Sequence, residues 1–210
     1  MVAVSIGYGS CVGSWEKFGR NVASRTGGRP MVALSGQPSI SVAYNLILDA
    51  YKGRGMDAVI LLHDDLELTD PDAEAKFLDA LTDPDIALVG VCGGKGDQTL
   101  HWWESEKVGH QMTDSGLLDF GPRTGDVAII EGSAMVFSPW AVDNLRFDER
   151  YPGFSAGYDD ICLHARAAGK RVTVVDVDTH HHSTVGWKSP QAEAAFAAAE
   201  QQFRAKWGIQ

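Results

Sequence analysis

Between Met56 and Leu62 the chain carries an almost continuous apolar run, MDAVILL, that stops at His63-Asp64-Asp65. A run without polar alternation is the pattern of a strand covered on both faces, and so of a sheet with helices on either side. Other β-prone runs lie at 2–6 (VAVSI), 31–34 (MVAL), 86–92 (IALVGVC), 126–130 with 134–137 (DVAII, AMVF) and 171–178 (RVTVVDVD). Helical periodicity separates them. Ile40, Ala43, Tyr44, Ile47, Leu48 and Tyr51 fall at i, i+3, i+4, i+7, i+8 and i+11, a buried stripe with Ser39 as N-cap and Gly53 and Gly55 past its end. Thr69 or Asp70 with Pro71 opens a helix carrying Phe77, Leu78 and Leu81. Ser138-Pro139 opens a short helix, another runs from about 160 to 168, and Ser189-Pro190 opens one ending near Trp207. In that last helix Phe196, Phe203 and Trp207 share a face and are packing residues.

Strands alternating with helices predict an α/β fold with a doubly wound, mostly parallel sheet. Ligands of such sheets sit at the carboxyl ends of the strands, where Asp64-Asp65 and the tract His180-His181-His182 both fall. The stretch 93–126 shows few periodic elements and reads as a long loop carrying Trp102 and Trp103. Gly7, Gly9 and Gly13 follow the first run with the spacing G-x-G-x-x-x-G, one residue off the dinucleotide fingerprint, so a glycine loop is expected without a nicotinamide cofactor.

The length of 210 residues suits one domain spanning 1–210, and 44% hydrophobic with 22% charged residues excludes a disordered chain. The net charge is −10 and the basic residues are scattered, which disfavours a nucleic-acid partner. An anionic ligand would need a local cation or a helix N-terminus to offset that field. Cys11, Cys92 and Cys162 are odd in number and widely spaced, against a disulfide framework. With no basic, apolar leader and no run of about 18 apolar residues, a cytoplasmic protein without a transmembrane segment is expected.

At 63–65 a core strand delivers two carboxylates and an imidazole to its carboxyl end. Carboxylates buried there need positive compensation, and a divalent ion supplies it; carboxylate with imidazole suits Mn²⁺ or Mg²⁺. The alternative is that Asp64 and Asp65 cap the following turn. Asp159 and Asp160 likewise read either as a helix cap with its first-turn acid or as a general base. In a strand His180 and His182 share one face and His181 the other, so at most two of the three meet one site.

The segment FDERYPGFSAGYDDICLHARAAGKRVTVVDVDTHHHS resembles the C-terminal half of GT-A glycosyltransferases of family 2, which carry an acidic motif opening a D-L-C-L-R-A-R-A-A-G helix, then a strand and a histidine. LLHDDLELTDP resembles that family's D-x-D strand end, EGSAMVFSPW its acceptor-side segment, and GVCGGKGDQTLHWWES a subgroup with a tryptophan pair. His63 stands where many members have the first Asp, His164 replaces an Arg, and GYDDICL is one residue shorter than the commoner form.

The resemblance implies a GT-A, Rossmann-like fold with a nucleotide-sugar half at about 1–92, an acceptor half at about 93–188 and a C-terminal helix at about 189–208. It implies inverting transfer of a sugar from a nucleotide-diphosphate-sugar donor to a hydroxyl of a glycan, protein or small-molecule acceptor, with Mn²⁺ or Mg²⁺. Asp65, His181 and His63 are then metal ligands. Asp64, Asn45 and Gly7 contact the donor, Trp102, Trp103, Glu131 and Gly132 the acceptor, and Asp159 or Asp160 is the base. Two other readings use the same residues: a metal-dependent hydrolase, and a non-catalytic module binding glycan or nucleotide.

Overall fold

The computed structural model describes residues 4–96, 100–153, 157–182 and 189–209. Residues 2–3 of the expected first strand, 154–156 before the acidic helix and 183–188 after the histidine tract lie outside them.

The apolar run becomes the central strand β3 (Ala58–His63). It lies between β1 (Ile6–Val12), parallel to it, and β11 (Ala134–Phe137), antiparallel to it, in a seven-stranded sheet. Beyond β1 the sheet ends at β2 (Met31–Ser35); beyond β11 it continues through β5 (Ile86–Gly90) and β12 (Arg171–Val174) to β9 (Gly125–Asp126). Both faces of β3 are covered, as the missing alternation requires. Val59 and Leu61 pack with Tyr44, Ile47 and Leu48 of α2 (Ile40–Tyr51), while Ile60 and Leu62 pack with Phe18 and with Phe77 of α3 (Ala73–Ala80). Tyr44, Ile47, Leu48 and Phe77 are wholly buried, each contributing about 1.5–3 kcal/mol of transfer free energy. Ser39 caps α2 by accepting from the Val42 amide at 3.2 Å.

The sheets are mixed, not mostly parallel. The chain reaches 134 from the carboxyl end of β3, where Ala134 pairs Leu62, so β11 enters from that end and must run backwards. Nor is 93–126 a long loop. It supplies β7, β8 and most of β6 to a second, six-stranded sheet with the order β10 (Ile129–Ile130), β6 (Cys92–Gly94), β7 (Lys107–Thr113), β13 (Thr179–His181), β4 (Leu66–Leu68), with β8 (Gly116–Asp119) paired to β7. Gly109 at φ 97°, with His110 and Gln111 buried, hides the apolar signal of β7 in the sequence. β13 runs between β4 and β7, setting His181 opposite Leu66 and Thr113. The histidine tract is thereby delivered to the carboxyl end of β3.

Gly7 and Gly9 are inside β1 instead of a loop. A β-carbon on Gly7 would lie 2.5 Å from the Tyr51 ring, and one on Gly9 2.4 Å from Ile47, so these glycines let α2 press onto the sheet. After α4 (Pro139–Asn144) and α5 (Gly157–Ala167), the final helix α6 (Pro190–Trp207) buries Ala199 and Phe203 against Leu100, Tyr151 and Leu163.

Candidate metal and nucleotide site

A cleft of about 540 Å³ opens at the carboxyl ends of β1, β2 and β3, lined by Cys11 to Gly13, Trp15, Ser35 to Gln37, Ile40, His63 to Asp65 and Tyr158. His63 and Asp65 of its lining, with His181 behind them, offer ligand atoms that all lie within 4.8 Å of one another. His181 Nε2 is 3.2 Å from Asp65 Oδ1, and the rings of His63 and His181 have centroids 5.6 Å apart. The backbone ties the two strands at this point, since the His182 amide donates to the Asp65 carbonyl at 2.8 Å. Lys17 of α1 (Trp15–Phe18) brings its ammonium to 3.4 Å from Asp65 Oδ2.

The two ring nitrogens of His181 have separate partners. Nδ1 donates to Gln111 Oε1 at 3.2 Å; Gln111 Nε2 donates to Ser133 Oγ at 2.9 Å; and the Ser133 hydroxyl and amide both donate to Glu131 Oε2. Fixing Nδ1–H leaves Nε2 aimed at Asp65, which is how a ligating imidazole is oriented by its surroundings. One carboxylate and two imidazoles are a sound donor set for a divalent ion such as Mn²⁺, so the residues fit the implied metal.

Burial opposes ionisation of Asp65, but the hydrogen bond from His181, the charges of His181 and His63, and Lys17 outweigh it, and the carboxyl falls to about 2. Burial disfavours the charged form of His181, yet the Asp65 hydrogen bond together with the Glu131 and Asp65 charges raises its pKa above the ordinary value. His63 is shifted the other way, chiefly by burial. It shares a 2.8 Å hydrogen bond, through Nε2, with the Tyr158 hydroxyl, whose own ionisation burial suppresses.

The other expected site residues divide. Asp64 lines the cleft, and its Oδ2 accepts from the amides of Gly13 at 2.9 Å and Ser14 at 2.6 Å, holding the β1–α1 loop as the cleft wall. Asp159 is buried with Oδ1 unpartnered, and burial pushes its pKa well above the carboxylate range. Asp160 has no exposed surface: Oδ1 accepts from Tyr151 Oη at 3.1 Å and Trp207 Nε1 at 2.9 Å, and Oδ2 from Lys206 Nζ at 2.8 Å.

Packing engages the remaining expected binding residues as follows. Gly7 lies under Tyr51, five residues before Val12 and away from the cleft. Asn45 donates to the Phe147 carbonyl and Glu149 and accepts from the Phe147 amide, clamping that segment instead of facing the cleft. Trp102 packs edge-on against Phe120, and Trp103 stacks on His101, which stacks in turn on Phe196 of α6. Gly132 is small because the Tyr158 ring occupies its β-carbon space, at 2.2 Å, and Glu131 Oε2 accepts from Ser133. Sequence reasoning missed Tyr158, Gln111, Ser133, Lys17 and Trp15. Trp15, 57% exposed at the cleft, had a signal in its exposure-prone place beside the glycine turn; the others depend on partners distant in sequence.

No family model matches this chain. A curated relative, the streptomycin biosynthesis protein StrF of Streptomyces griseus, is 32% identical over an alignment of 188 positions that covers 85% of this chain. The chain spans 66% of that relative's length. Among solved structures, GalNAc-T7, determined with UDP, GalNAc and Mn²⁺, superposes with a TM-score of 0.63 at 8% identity, covering 95% of this chain and 48% of that one. The fold is similar to that of GalNAc-T7. A197 from STIV superposes at 0.55 with 12% identity over 87% of both chains. Among the described residues no helix is long and apolar enough to cross a membrane.

Proposed function

We propose that this protein is a metal-dependent inverting glycosyltransferase that moves a sugar from a nucleotide-diphosphate-sugar to a hydroxyl of a small-molecule acceptor. The observation that carries the reading is the meeting of His181 with His63 and Asp65, which line a cleft, in a fold shared with a glycosyltransferase determined with UDP and Mn²⁺. The small-molecule acceptor rests on likeness to a streptomycin biosynthesis protein.

Asp65 and His181 would hold Mn²⁺ or Mg²⁺, with His63 beside them. When bound, such an ion neutralises the diphosphate and stabilises it as a leaving group. Lys17 adds a second cation on the same side, which matters in a chain of net charge −10. Trp15 offers its exposed ring to the nucleotide base. Asp64 keeps the β1–α1 wall in place around the donor. Asp159 takes the proton of the acceptor hydroxyl: of the two neighbouring acids it alone has an unpartnered oxygen, and since burial favours its neutral form it acts as base only in the ionised fraction, where its raised pKa makes it a stronger base than an ordinary carboxylate. Asp160 is spent on α6.

The test is thermal stability against a panel of nucleoside diphosphates with Mn²⁺, Mg²⁺ or EDTA. A ligand at 100 times its Kd adds about 2.7 kcal/mol, so one nucleotide should raise Tm only when metal is present. No shift with any nucleotide would overturn the reading. Release of nucleoside diphosphate from the identified donor, equally fast with and without acceptors, would make the protein a hydrolase.

A further inference from the structure

Strand geometry splits the histidine tract. His181 turns to the cleft, while His180 and His182 turn to the opposite face and stack on one another, ring centroids 3.9 Å apart and 26° from parallel. Both reach the same carboxylate oxygen: His180 Nε2 is 3.1 Å and His182 Nδ1 3.3 Å from Asp114 Oδ1. Asp114 sits on a fixed turn between β7 and β8, where the Thr113 hydroxyl donates to the Gly116 carbonyl at 2.9 Å and accepts from the Ser115 amide at 3.2 Å. Glu67 of β4 flanks the group, with Oε2 3.3 Å from His182 Nε2 and Oε1 paired to Arg25 at 2.6 Å.

We propose that Asp114, His180 and His182 form a second metal site, separate from the cleft, that takes a late first-row transition cation such as Zn²⁺ or Cu²⁺. Ligands about 2.0–2.2 Å from a tetrahedral ion lie about 3.4 Å from one another, close to the two contacts to Asp114 Oδ1, and one of the stacked rings turns out of the stack to point both imidazole nitrogens at one ion. Two imidazoles and one carboxylate, the same donor set as in the cleft, bind Zn²⁺ and Cu²⁺ more tightly than Mn²⁺ or Mg²⁺, and with no diphosphate here to favour the harder ions the late cations take this site. Three protein ligands leave a position for water. The side chains are roughly one-third to one-half exposed, so an ion enters without opening the fold. Once there it ties β13 to the β7–β8 turn and so steadies the strand that presents His181. The inference does not depend on the glycosyltransferase reading, because none of the three residues lines the cleft.

The experiment uses full-length, tag-free protein stripped with EDTA, titrated with Zn²⁺ by calorimetry and with Cu²⁺ followed by electron paramagnetic resonance. We expect one Zn²⁺ equivalent that survives Asp65→Asn combined with His181→Ala, and that the His180→Ala, His182→Ala double variant loses. Asp114→Asn should weaken it at least tenfold. In the Asp65→Asn, His181→Ala background the Cu²⁺ spectrum should show two nitrogen ligands, and one when His182→Ala is added. Zn²⁺ binding that vanishes with Asp65 and His181, or that is indifferent to the double variant and to Asp114→Asn, overturns the proposal. If circular dichroism shows the double variant misfolded, Asp114→Asn, on an exposed turn, decides the outcome alone.

Discussion

Asp159 and Asp160 are neighbours in sequence, but the structure gives them opposite work, and isosteric replacement separates it. Asp160 has no exposed surface and three donors, one of them the Lys206 ammonium at 2.8 Å. In Asp160→Asn the amide oxygen can still accept from Tyr151 and Trp207, but an N–H then faces the ammonium. The charge-assisted bond, worth about 1.5–3 kcal/mol, is lost, and a donor is left against a cation. Lys206 retains Asp148 at 2.8 Å, which limits the damage. The expected cost is about 3 kcal/mol, or about 6–12 °C in Tm for a chain of this size. Asp159→Asn removes a buried carboxyl whose raised pKa already favours its neutral form. A carboxyl with a raised folded pKa costs stability once pH passes its unfolded pKa, so at pH 7 this variant should melt at the wild-type temperature or above it. Turnover should move the other way, falling about 10²–10⁴-fold in Asp159→Asn with donor binding retained. Calorimetry and a nucleoside diphosphate release assay, run on both variants, read the two axes. A stable, inactive Asp160→Asn beside an unstable, active Asp159→Asn would refute the assignment.

Gly132→Ala should push the Tyr158 ring off His63, costing about 1–3 kcal/mol and weakening metal-dependent nucleotide binding; an unchanged Tm and affinity would show that the Tyr158 ring is free to move. Trp15→Ala should raise the Kd of the bound nucleotide about 5- to 30-fold by removing a stacking surface of about 1–2 kcal/mol, without lowering Tm, as the ring is largely exposed. Asp148 is held below the usual carboxylate range by hydrogen bonds from Arg150 and Lys206, opposed by partial burial. A depressed folded pKa stabilises the protein above the unfolded value, near 4, and that contribution disappears as pH falls further. The Tm difference between wild type and Asp148→Asn should therefore be constant from pH 5 to 8 and shrink toward pH 2.

Much of this arrangement is legible because it is local. The apolar run ending at His63, the Ser39 cap with its stripe along α2, and the alternation that parts His181 from His180 and His182 follow from spacing alone. What the sequence hides are features whose partners lie far away. The Asp160 lock needs Lys206 and Trp207, 46 and 47 residues on, so the acid reads equally well as a base. β11 runs antiparallel because the chain returns from a second sheet at the cleft end, and no property of AMVF announces its direction. Gly7 and Gly9 look like a loop because glycine is common there, and only the closeness of Tyr51 and Ile47 gives their reason.

The cleft poses an electrostatic problem that sets a further expectation. A diphosphate brings about two negative charges to a floor that already holds Asp64 and Asp65, in a chain of net charge −10. Without a metal, Asp65 is paired with His181 and Lys17, so those cations are already neutralised locally and offer the diphosphate little. A divalent ion bound through Asp65 and His181 reverses the local sign and frees Lys17 to turn toward the phosphates. Nucleotide affinity must then rise with metal, and reciprocity requires the metal's affinity to rise by the same factor when nucleotide is bound. A coupling of about 1–3 kcal/mol, 5- to 150-fold, is expected. Calorimetric titrations of Mn²⁺ with and without nucleoside diphosphate, and the converse pair, measure both arms after correction for Mn²⁺ bound to free nucleotide. The coupling should diminish in Lys17→Ala and be abolished in Asp65→Asn. Nucleotide that binds equally tightly in EDTA would place the diphosphate away from Asp65.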